Sequence, residues 1–424
     1  MQEFINKSFF ILLLFTFLFG VMFYDMIDRQ LGFSYTDEIC VLLVLILYIA
    51  KVYKSPKWEF NRTFLIFIGI ITFYLIYSIA IGSNVIQGIL MDFFIQAKPY
   101  ISFFCVLALK PELNVNQKKI IRQTVLVFGF YLLLVGFISF GFNDGLVKVL
   151  FGHESRFATA ATILSLLYLY CGDYTKIDKF VFVLLLSIGL LSGRAKLFGF
   201  LAMCVLMLLY MNDSFKMKLN TKNTFFLLLA IALTAFVARD KIQLYFIEGG
   251  LGNTRATEDL YARMALYYFS VSVFMEYIPF GSGFASYATY ASGVYYSPIY
   301  DKLYMNNLYG LTKADPKFIS DTYYPALAQF GVVGVVLFFL FWGHLAYKGI
   351  KAYSKDCRQE VIISFMIIVF FLIECTSDST ITHNRGIFLM MLLGMIFSDI
   401  QKKQTMKEEL AKQKVDENGK DSTR

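Results

Sequence analysis

The chain has 424 residues, of which 58% are hydrophobic and only 17% are charged, and its mean hydropathy is +0.60. A water-soluble domain of this length needs a more polar surface, so the composition indicates a membrane protein. The net charge of +8 does not indicate nucleic-acid binding, because the basic residues lie in short connectors between apolar blocks and form no basic face.

Long apolar blocks predict transmembrane helices, because the backbone in lipid must satisfy its own hydrogen bonds. The first block resembles a signal peptide, but no small-residue cleavage site follows it, so we interpret it as an uncleaved first helix. We predict about twelve spans. They lie at 8–24, 39–53, 63–82, 90–109, 121–141, 157–171, 179–192, 195–211, 223–238, 323–346, 361–376 and 384–399.

Basic connectors alternate with acidic or mixed ones, which predicts the orientation of the spans. The connectors 51–62, 110–122, 212–222 and 347–360 are basic, as is the tail, whereas 25–38 is acidic. We therefore predict an all-α polytopic membrane protein with both termini in the cytoplasm. Its predicted parts are an N-terminal bundle of about nine spans over 1–238 and a long outer loop over 239–322 with short helices. They are followed by C-terminal spans over 323–400 and a charged cytoplasmic tail over 401–424. We expect the tail to be disordered or a fraying helix.

An apolar run at 261–277 lies inside the long loop. It predicts either an interfacial helix on the outer leaflet or a re-entrant helix buried by protein. Arg263 and Glu276 bracket the run and favour the interfacial helix.

Three arginines lie on the predicted outer side, where the positive-inside rule disfavours basic residues. Arg156 directly precedes a span, Arg194 follows Ser-Gly in a turn between two spans, and Arg263 lies in the long loop. A guanidinium binds phosphate through a planar fork and keeps its charge in a low dielectric. Two interpretations stay open for each: an anion-binding group, or an arginine that anchors a helix at the membrane interface.

The segment Pro-Phe-Gly-Ser-Gly at 279–283 follows the apolar run. Gly281 and Gly283 permit a tight turn whose N–H groups can face an anion, and an ordinary loop turn is the alternative. Tyrosines of the loop offer flat faces to sugar rings or form a membrane-interface belt. They are Tyr287, Tyr290, Tyr295, Tyr296 and Tyr300.

Asp321 lies where the long loop enters the next predicted span. Its carboxylate can accept a proton from a sugar hydroxyl, or it can cap the following helix. His383 closes another outer connector. We include His383 as a candidate substrate contact, with a structural hydrogen-bond donor as the alternative.

No P-loop, nucleophile-elbow, zinc-protease or dinucleotide-binding motif occurs in the sequence, and no cysteine pair or metal-ligand cluster is apparent. We therefore expect neither an ATP-driven pump nor a metal site.

Taken in order, these segments resemble the O-antigen polymerase and ligase superfamily of lipid-linked glycan transferases. Residues 192–194 resemble the family's Ser-x-Ser-Arg turn, and residues 279–283 resemble its Pro-x-x-Gly-x-Gly turn. Residues 321–334 resemble its His-Asn-x-x-Leu…Glu-x-Gly-x-x-Gly segment, but Asp321 replaces the family's His and Gln329 replaces its Glu. The resemblance covers 150–345. The missing His favours the polymerase branch and leaves the identity of the general base open.

The resemblance implies an inverting glycosyl transfer on the outer face of a bacterial inner membrane. The donor would be a glycan on undecaprenyl diphosphate, and the acceptor would be a hydroxyl of the next lipid-linked repeat unit. Neither a cofactor nor a metal is implied, and a chain-length regulator is a plausible partner besides membrane lipids. In this interpretation Arg194 and Arg263 bind the diphosphate with help from Arg156, and Asp321 orients or deprotonates the acceptor.

Three other functions stay open. The nearest is a ligase that moves finished glycan to lipid A core. Another is a transporter or flippase of the same lipid-linked sugars, although transporters tend to carry charge within their spans and to contain repeats. The third is a non-catalytic assembly protein.

Overall fold

The computed structural model describes residues 1–55, 61–142, 145–211 and 258–421, with side chains described for 261–410 of the last segment. Within these ranges the chain is helical, and no strand is present. The predicted span at 223–238, the basic connector at 212–222 and the first part of the predicted outer loop lie outside the described residues.

The helices follow the apolar blocks of the sequence. In chain order they are α1 Gln2–Phe15, continued by a π-helical segment Thr16–Met22, α2 Tyr24–Leu31, α3 Thr36–Lys54, α4 Arg62–Ile81, α5 Ile86–Leu109, α6 Val115–Gly141, α7 Leu146–Phe151, α8 Glu154–Cys171, α9 Lys176–Ile188, α10 Ala195–Tyr210, α11 Glu258–Glu276, α12 Tyr290–Val294, α13 Pro298–Lys302, α14 Gly331–Ala352, α15 Arg358–Glu374 and α16 Asn384–Asp421. Short 3₁₀ segments are Gly189–Ser192, Met305–Asn307, Pro325–Phe330 and Thr380–Thr382.

Among the residues that the structure describes, five helical segments are long and apolar enough to cross a membrane: Gln2–Met22, Arg62–Ile81, Ile86–Leu109, Val115–Gly141 and Pro325–Ala352. The pair α2 and α3 adds a sixth if it counts as one span bent by 114°. Every other predicted span in the described residues also coincides with a helix. The membrane character of the chain is therefore supported, whereas the count of about twelve spans stays a prediction.

Helix α16 lies at the centre of the bundle and packs along α5. Its residues 387–397 are almost completely buried. A side chain at Gly394 would place its Cβ 2.7 Å from the Phe103 carbonyl oxygen, so the two helices touch through backbone. Small residues permit such close contact between helices in membranes.

One end of the bundle, which we call the lysine end, holds Lys51, Lys110 and Lys402. The Gln2 amide and the Lys402 ammonium donate to the Lys110 carbonyl at 2.9 and 3.0 Å. Lys51 donates to the Leu109 carbonyl at 2.8 Å. This end of the bundle therefore contains the N-terminus, the α5–α6 connector and the part of α16 around Lys402.

The opposite end, which we call the arginine end, holds Arg156, Arg194, Arg263 and Arg385. Arg385 and Lys402 lie on the same helix, separated by about 25 Å of helical rise. That separation is close to the thickness of a hydrocarbon core, which is about 30 Å.

Candidate functional site at the arginine end

Arg156 and Arg385 share one carboxylate at the arginine end. Arg156, in the first turn of α8, is paired with Asp25 Oδ1, and Arg385 Nη2 on α16 lies 2.7 Å from Asp25 Oδ2. The Asp25 side chain is 2% exposed, whereas that of Arg156 is 44% exposed. Asp25 on α2 thus fixes two guanidinium groups from two other helices.

Arg194 precedes α10 and reaches the N-terminus of α8. Its Nη2 lies 2.6 Å from His153 Nε2 and 3.6 Å from Glu154 Oε2. Burial and the adjacent Arg194 charge lower the pKa of His153. A neutral imidazole can accept a hydrogen bond from the guanidinium, so the lowered pKa agrees with the contact.

Lys196, the second residue of α10, joins this region to α15. Its ammonium lies 2.6 Å from Glu374 Oε1. Asp378 accepts from the hydroxyls of Ser155 and Thr380 at 2.9 and 2.7 Å. Burial raises the pKa of Asp378, but the Lys196 charge, His383 and these hydrogen bonds outweigh it and hold the pKa below its usual value.

Arg263 and Asp321 lie together although 57 residues separate them in sequence. Arg263 Nη2, on α11, lies 2.9 Å from Asp321 Oδ2. The interpretation of Asp321 as a helix cap is wrong, because the next helical segment begins at Pro325, its cap position is Tyr324 and no side chain caps it. The carboxylate is directed to Arg263 instead.

Three hydrogen bonds place the Arg263–Asp321 pair over the α15–α16 connector. The Ser379 hydroxyl donates to the Ser320 carbonyl at 2.8 Å, and the Tyr267 hydroxyl donates to the Thr376 carbonyl at 2.8 Å. The Tyr323 amide donates to the Cys375 carbonyl at 3.2 Å. The long loop and the helix ends therefore form one continuous polar surface.

His383 lies in this surface, directly before α16. Part of the residue is accessible to solvent, and its Nε2 lies 3.1 Å from the Ser379 hydroxyl. Desolvation by the surrounding protein lowers the pKa of His383 to about 4, the charges of Arg156 and Lys98 add to the shift, and Asp378 opposes it. The ring is therefore neutral near pH 7.

Gly281 and Gly283 form a tight turn, but the turn serves packing. The Gly281 amide donates to the Tyr277 carbonyl at 2.6 Å, and the Gly283 amide donates to the Gln329 carbonyl at 2.8 Å. The interpretation of these N–H groups as anion donors is therefore wrong. A Cβ at Gly281, where φ is +83°, would lie 2.3 Å from the Gly331 nitrogen, so only glycine fits.

The loop tyrosines differ in burial, and Tyr295 and Tyr296 are half-buried. Tyr287 is 0% exposed and donates to the Leu266 carbonyl at 2.7 Å, and Tyr300 is 0% exposed too. Tyr287 therefore belongs to the core of the loop, and its predicted contact with substrate is wrong. Tyr290 is 54% exposed at the start of α12, where it keeps an accessible ring.

The structure brings together five of the predicted site residues at the arginine end: Arg156, Arg194, Arg263, Asp321 and His383. Sequence reasoning missed Asp25, Lys196 and Arg385. Two signals in the sequence could have identified two of them: Asp25 belongs to the first acidic connector, and Arg385 lies two residues after His383. No sequence pattern indicated that these distant charges meet.

No model of a known protein family matches the chain, and no curated protein is detectably similar to it in sequence. Among the residues that the structure describes, no cluster of three or more His, Cys, Asp and Glu side chains has the geometry of a metal site. The candidate site is thus defined by its own chemistry, which is a set of arginines and a lysine beside carboxylates, a neutral histidine and hydroxyls. Such a set can bind an oxyanion and hold an alcohol next to a carboxylate.

Proposed function

We propose that the chain is a polymerase that joins undecaprenyl-diphosphate-linked oligosaccharide repeat units into O-antigen or a related surface polysaccharide. The enzyme would lie in the bacterial inner membrane with its arginine end outside. The proposal includes the finer topology of about twelve spans with both termini in the cytoplasm.

The main support for the proposal is that Arg156, Arg194 and Arg263 lie at the same end of the bundle. These residues come from three separate connectors, and the lysine end lies at the other side of the same helices. Lysines at one end are accounted for by the positive-inside rule, whereas arginines at the other end oppose it. Arginines retained against that rule support a role in binding an anion.

In the proposed reaction, the acceptor hydroxyl attacks the anomeric carbon of the donor glycan. The bond from that carbon to the diphosphate oxygen breaks, so the configuration inverts and the lipid diphosphate leaves. Arg194 and Arg263 stabilise the charge that develops on the diphosphate. Asp321, paired with Arg263 at 2.9 Å, orients the acceptor hydroxyl and takes its proton. The energy comes from the glycosyl diphosphate, and no nucleotide is consumed.

Deletion of the gene followed by gel analysis of surface lipopolysaccharide tests the proposal. Loss of a polymerase leaves the core with a single repeat unit attached. Loss of a ligase leaves bare core with long glycan retained on the carrier lipid, and loss of a flippase leaves bare core and no outer polymer. Either of the last two patterns would contradict the proposal.

An Arg263→Ala variant tests the site within the same assay. We expect loss of the polymer ladder with normal membrane insertion, because the diphosphate loses a cation at the reacting end. Arg122→Ala is the matched control, since Arg122 also pairs with an aspartate, Asp178 at 2.5 Å, but lies toward the lysine end. A normal ladder from Arg263→Ala would remove Arg263 from the site.

One observation favours a transporter as the second candidate. Lys98 lies in the middle of α5 and binds Asp37 and Glu38, with a distance of 2.8 Å to Glu38 Oε1. Charges within a span are typical of ion and substrate pathways. The gel assay of a Lys98→Met variant distinguishes the transporter from the polymerase. If the chain is a transporter, the variant shows no outer polymer. If it is a polymerase, the variant still shows core with at least a single repeat unit.

A further inference from the structure

The pair Arg156 and Arg385 has more positive charge than its shared carboxylate can balance. Asp25 contacts both guanidinium groups and is 2% exposed, and Arg385 is 6% exposed. One buried negative charge therefore faces two positive charges, of which Arg385 is buried and Arg156 is 44% exposed to solvent. The buried charge of Arg385 is costly unless an anion compensates it.

Both arginines retain donors for such an anion. In the part of the chain that the structure describes, the Nε of Arg385 is buried without a hydrogen-bond partner. Arg156 contacts Asp25 through Nη1, and its side chain is 44% exposed. A guanidinium carries five N–H donors, so each arginine can bind Asp25 and a further oxyanion at once.

The neighbouring carboxylates have cations or hydroxyls of their own. Asp378 accepts from two hydroxyls and has Lys196 as its principal cation, and Lys98 binds Asp37 and Glu38. Asp25 is thus the main counter-ion of Arg385, and Asp378 adds a weaker attraction from a position where its oxygens are already hydrogen-bonded to hydroxyls.

Gly152 adds evidence that this arrangement is specified by the sequence. A Cβ at Gly152, where φ is +73°, would lie 2.9 Å from Arg156 Nη1 and 3.0 Å from Asp25 Oδ1. The positive φ favours glycine here, and a larger residue would have to displace the ion pair.

We infer that Arg156 and Arg385, with Asp25 as an internal counter-ion, form a second anion site, which holds the diphosphate of the acceptor lipid. This assignment rests on the proposed function, because a polymerase joins two lipid diphosphates and must anchor both. Arg194 and Arg263 then serve the donor, and Arg156 serves the acceptor. Asp25 keeps the two guanidinium groups in position while the site is empty.

Binding of farnesyl diphosphate to the purified full-length protein in phosphatidylcholine nanodiscs tests this inference by calorimetry. The wild type is expected to bind two equivalents. Arg385→Gln and Arg194→Gln are each expected to bind one, and the double variant none. The control Lys402→Gln, at the lysine end, is expected to retain two. Two equivalents bound by Arg385→Gln, in a variant that elutes as a monodisperse particle, would overturn the inference.

Asp25→Asn gives a second readout that a purely structural role would not produce. Removal of the competing carboxylate is expected to tighten binding of farnesyl diphosphate at the second site by about threefold or more, because both guanidinium groups then face the ligand alone. Weaker binding in Asp25→Asn would contradict the role of Asp25 as a counter-ion. If this variant does not fold, Arg156→Gln replaces it and is expected to lose the same equivalent as Arg385→Gln.

The same assay separates the other source of phosphate, a phospholipid headgroup. If nanodiscs that contain phosphatidylglycerol abolish one equivalent of binding, the site belongs to membrane lipid and the acceptor assignment fails.

Different results would exclude the second anion site and the proposed polymerase function. If the surface ladder is normal after gene deletion, the proposed polymerase function is excluded, whereas the anion site is not. If Arg385→Gln makes full polymer and still binds two equivalents of farnesyl diphosphate, the second site is excluded and the proposed function stands.

Discussion

At the scale of single residues, the site depends on a few charges that have defined partners. Asp321 Oδ2 lies 2.9 Å from Arg263 Nη2, and Asp321 stands where the resembling family has a histidine. In the proposed reaction, Asp321 holds the acceptor hydroxyl in line and accepts its proton as the new bond forms.

Replacement of Asp321 by Asn tests this role. We expect polymer formation to fall by roughly 100-fold or more, because positioned acid–base groups contribute at least that much to a rate. Asp301→Asn is the control, since Asp301 is an exposed aspartate of the same loop. The measurement is polymer length per hour in membranes with equal amounts of each variant. Unchanged activity in Asp321→Asn would move the base elsewhere, and His383 is then the next group to test.

His383 predicts a pH dependence of stability. Its pKa falls from 6.5 to about 4 in the folded chain, so the unfolded chain binds more protons between these values. The stability contributed by the neutral ring is present above the unfolded pKa and is lost as the pH falls toward about 4.

We therefore expect the thermal midpoint of the wild type to fall more between pH 7 and pH 5 than that of His383→Gln. The measurement is thermal unfolding of both proteins in the same detergent. Equal falls in the two proteins would show that the ring titrates normally.

At the level of elements, side chains of α4, α5 and the connector between them bind backbone groups of the loop. The Tyr77 hydroxyl donates to the Gly281 carbonyl at 2.8 Å, and Asn84 donates to the carbonyls of Ala285 and Tyr295 at 2.7 Å. Asp92, buried in α5, accepts from the Ala285 amide at 2.7 Å. The loop that bears Arg263 and Asp321 is therefore attached firmly to the bundle.

Gly281→Ala is expected to destabilise this attachment by about 3 kcal/mol, because the new Cβ meets backbone and the φ is unfavourable for alanine. Gly343→Ala is the control, since nothing lies within 4 Å of a Cβ there. Denaturation in mixed micelles measures both variants. A loss of less than about 1 kcal/mol in Gly281→Ala would show that the turn can relax.

The sequence predicts the helices well, because long apolar blocks determine them: the predicted spans at 63–82 and 195–211 are Arg62–Ile81 and Ala195–Tyr210 in the structure. It predicts the loop poorly. Tyr287 and Tyr290 have the same residue type in one segment, yet one is buried and the other exposed. Which side faces the core depends on contacts from residues far away in sequence. The pairing of Asp25 with Arg385 depends in the same way on how α2 and α16 meet.

At the level of the whole molecule, basic residues lie at both ends of the bundle, and the arginine end holds Arg156, Arg194, Arg263 and Arg385 with Lys196. The proposed polymerase requires the lysine end in the cytoplasm and the arginine end outside. The six cysteines are free and buried, so they give little background in labelling experiments.

Single cysteines introduced at exposed positions test this orientation. In intact cells, an impermeant maleimide is expected to label cysteine in Tyr290→Cys and Tyr304→Cys near the arginine end. It is expected to spare Glu112→Cys and Met406→Cys near the lysine end until the cells are opened. Labelling of the second pair in intact cells would invert the topology and exclude the proposed reaction.

The claim that the chain is itself the polymerase is tested most directly by reconstitution. Purified protein in liposomes receives undecaprenyl-diphosphate-linked repeat units, without ATP, nucleotide sugars or other proteins, and the products are resolved on a gel. We expect the wild type to form a ladder of lengthening glycan with release of undecaprenyl diphosphate, and Arg263→Ala to form none. Intact single repeats after incubation with well-folded wild-type protein, or an equal ladder from Arg263→Ala, would contradict it.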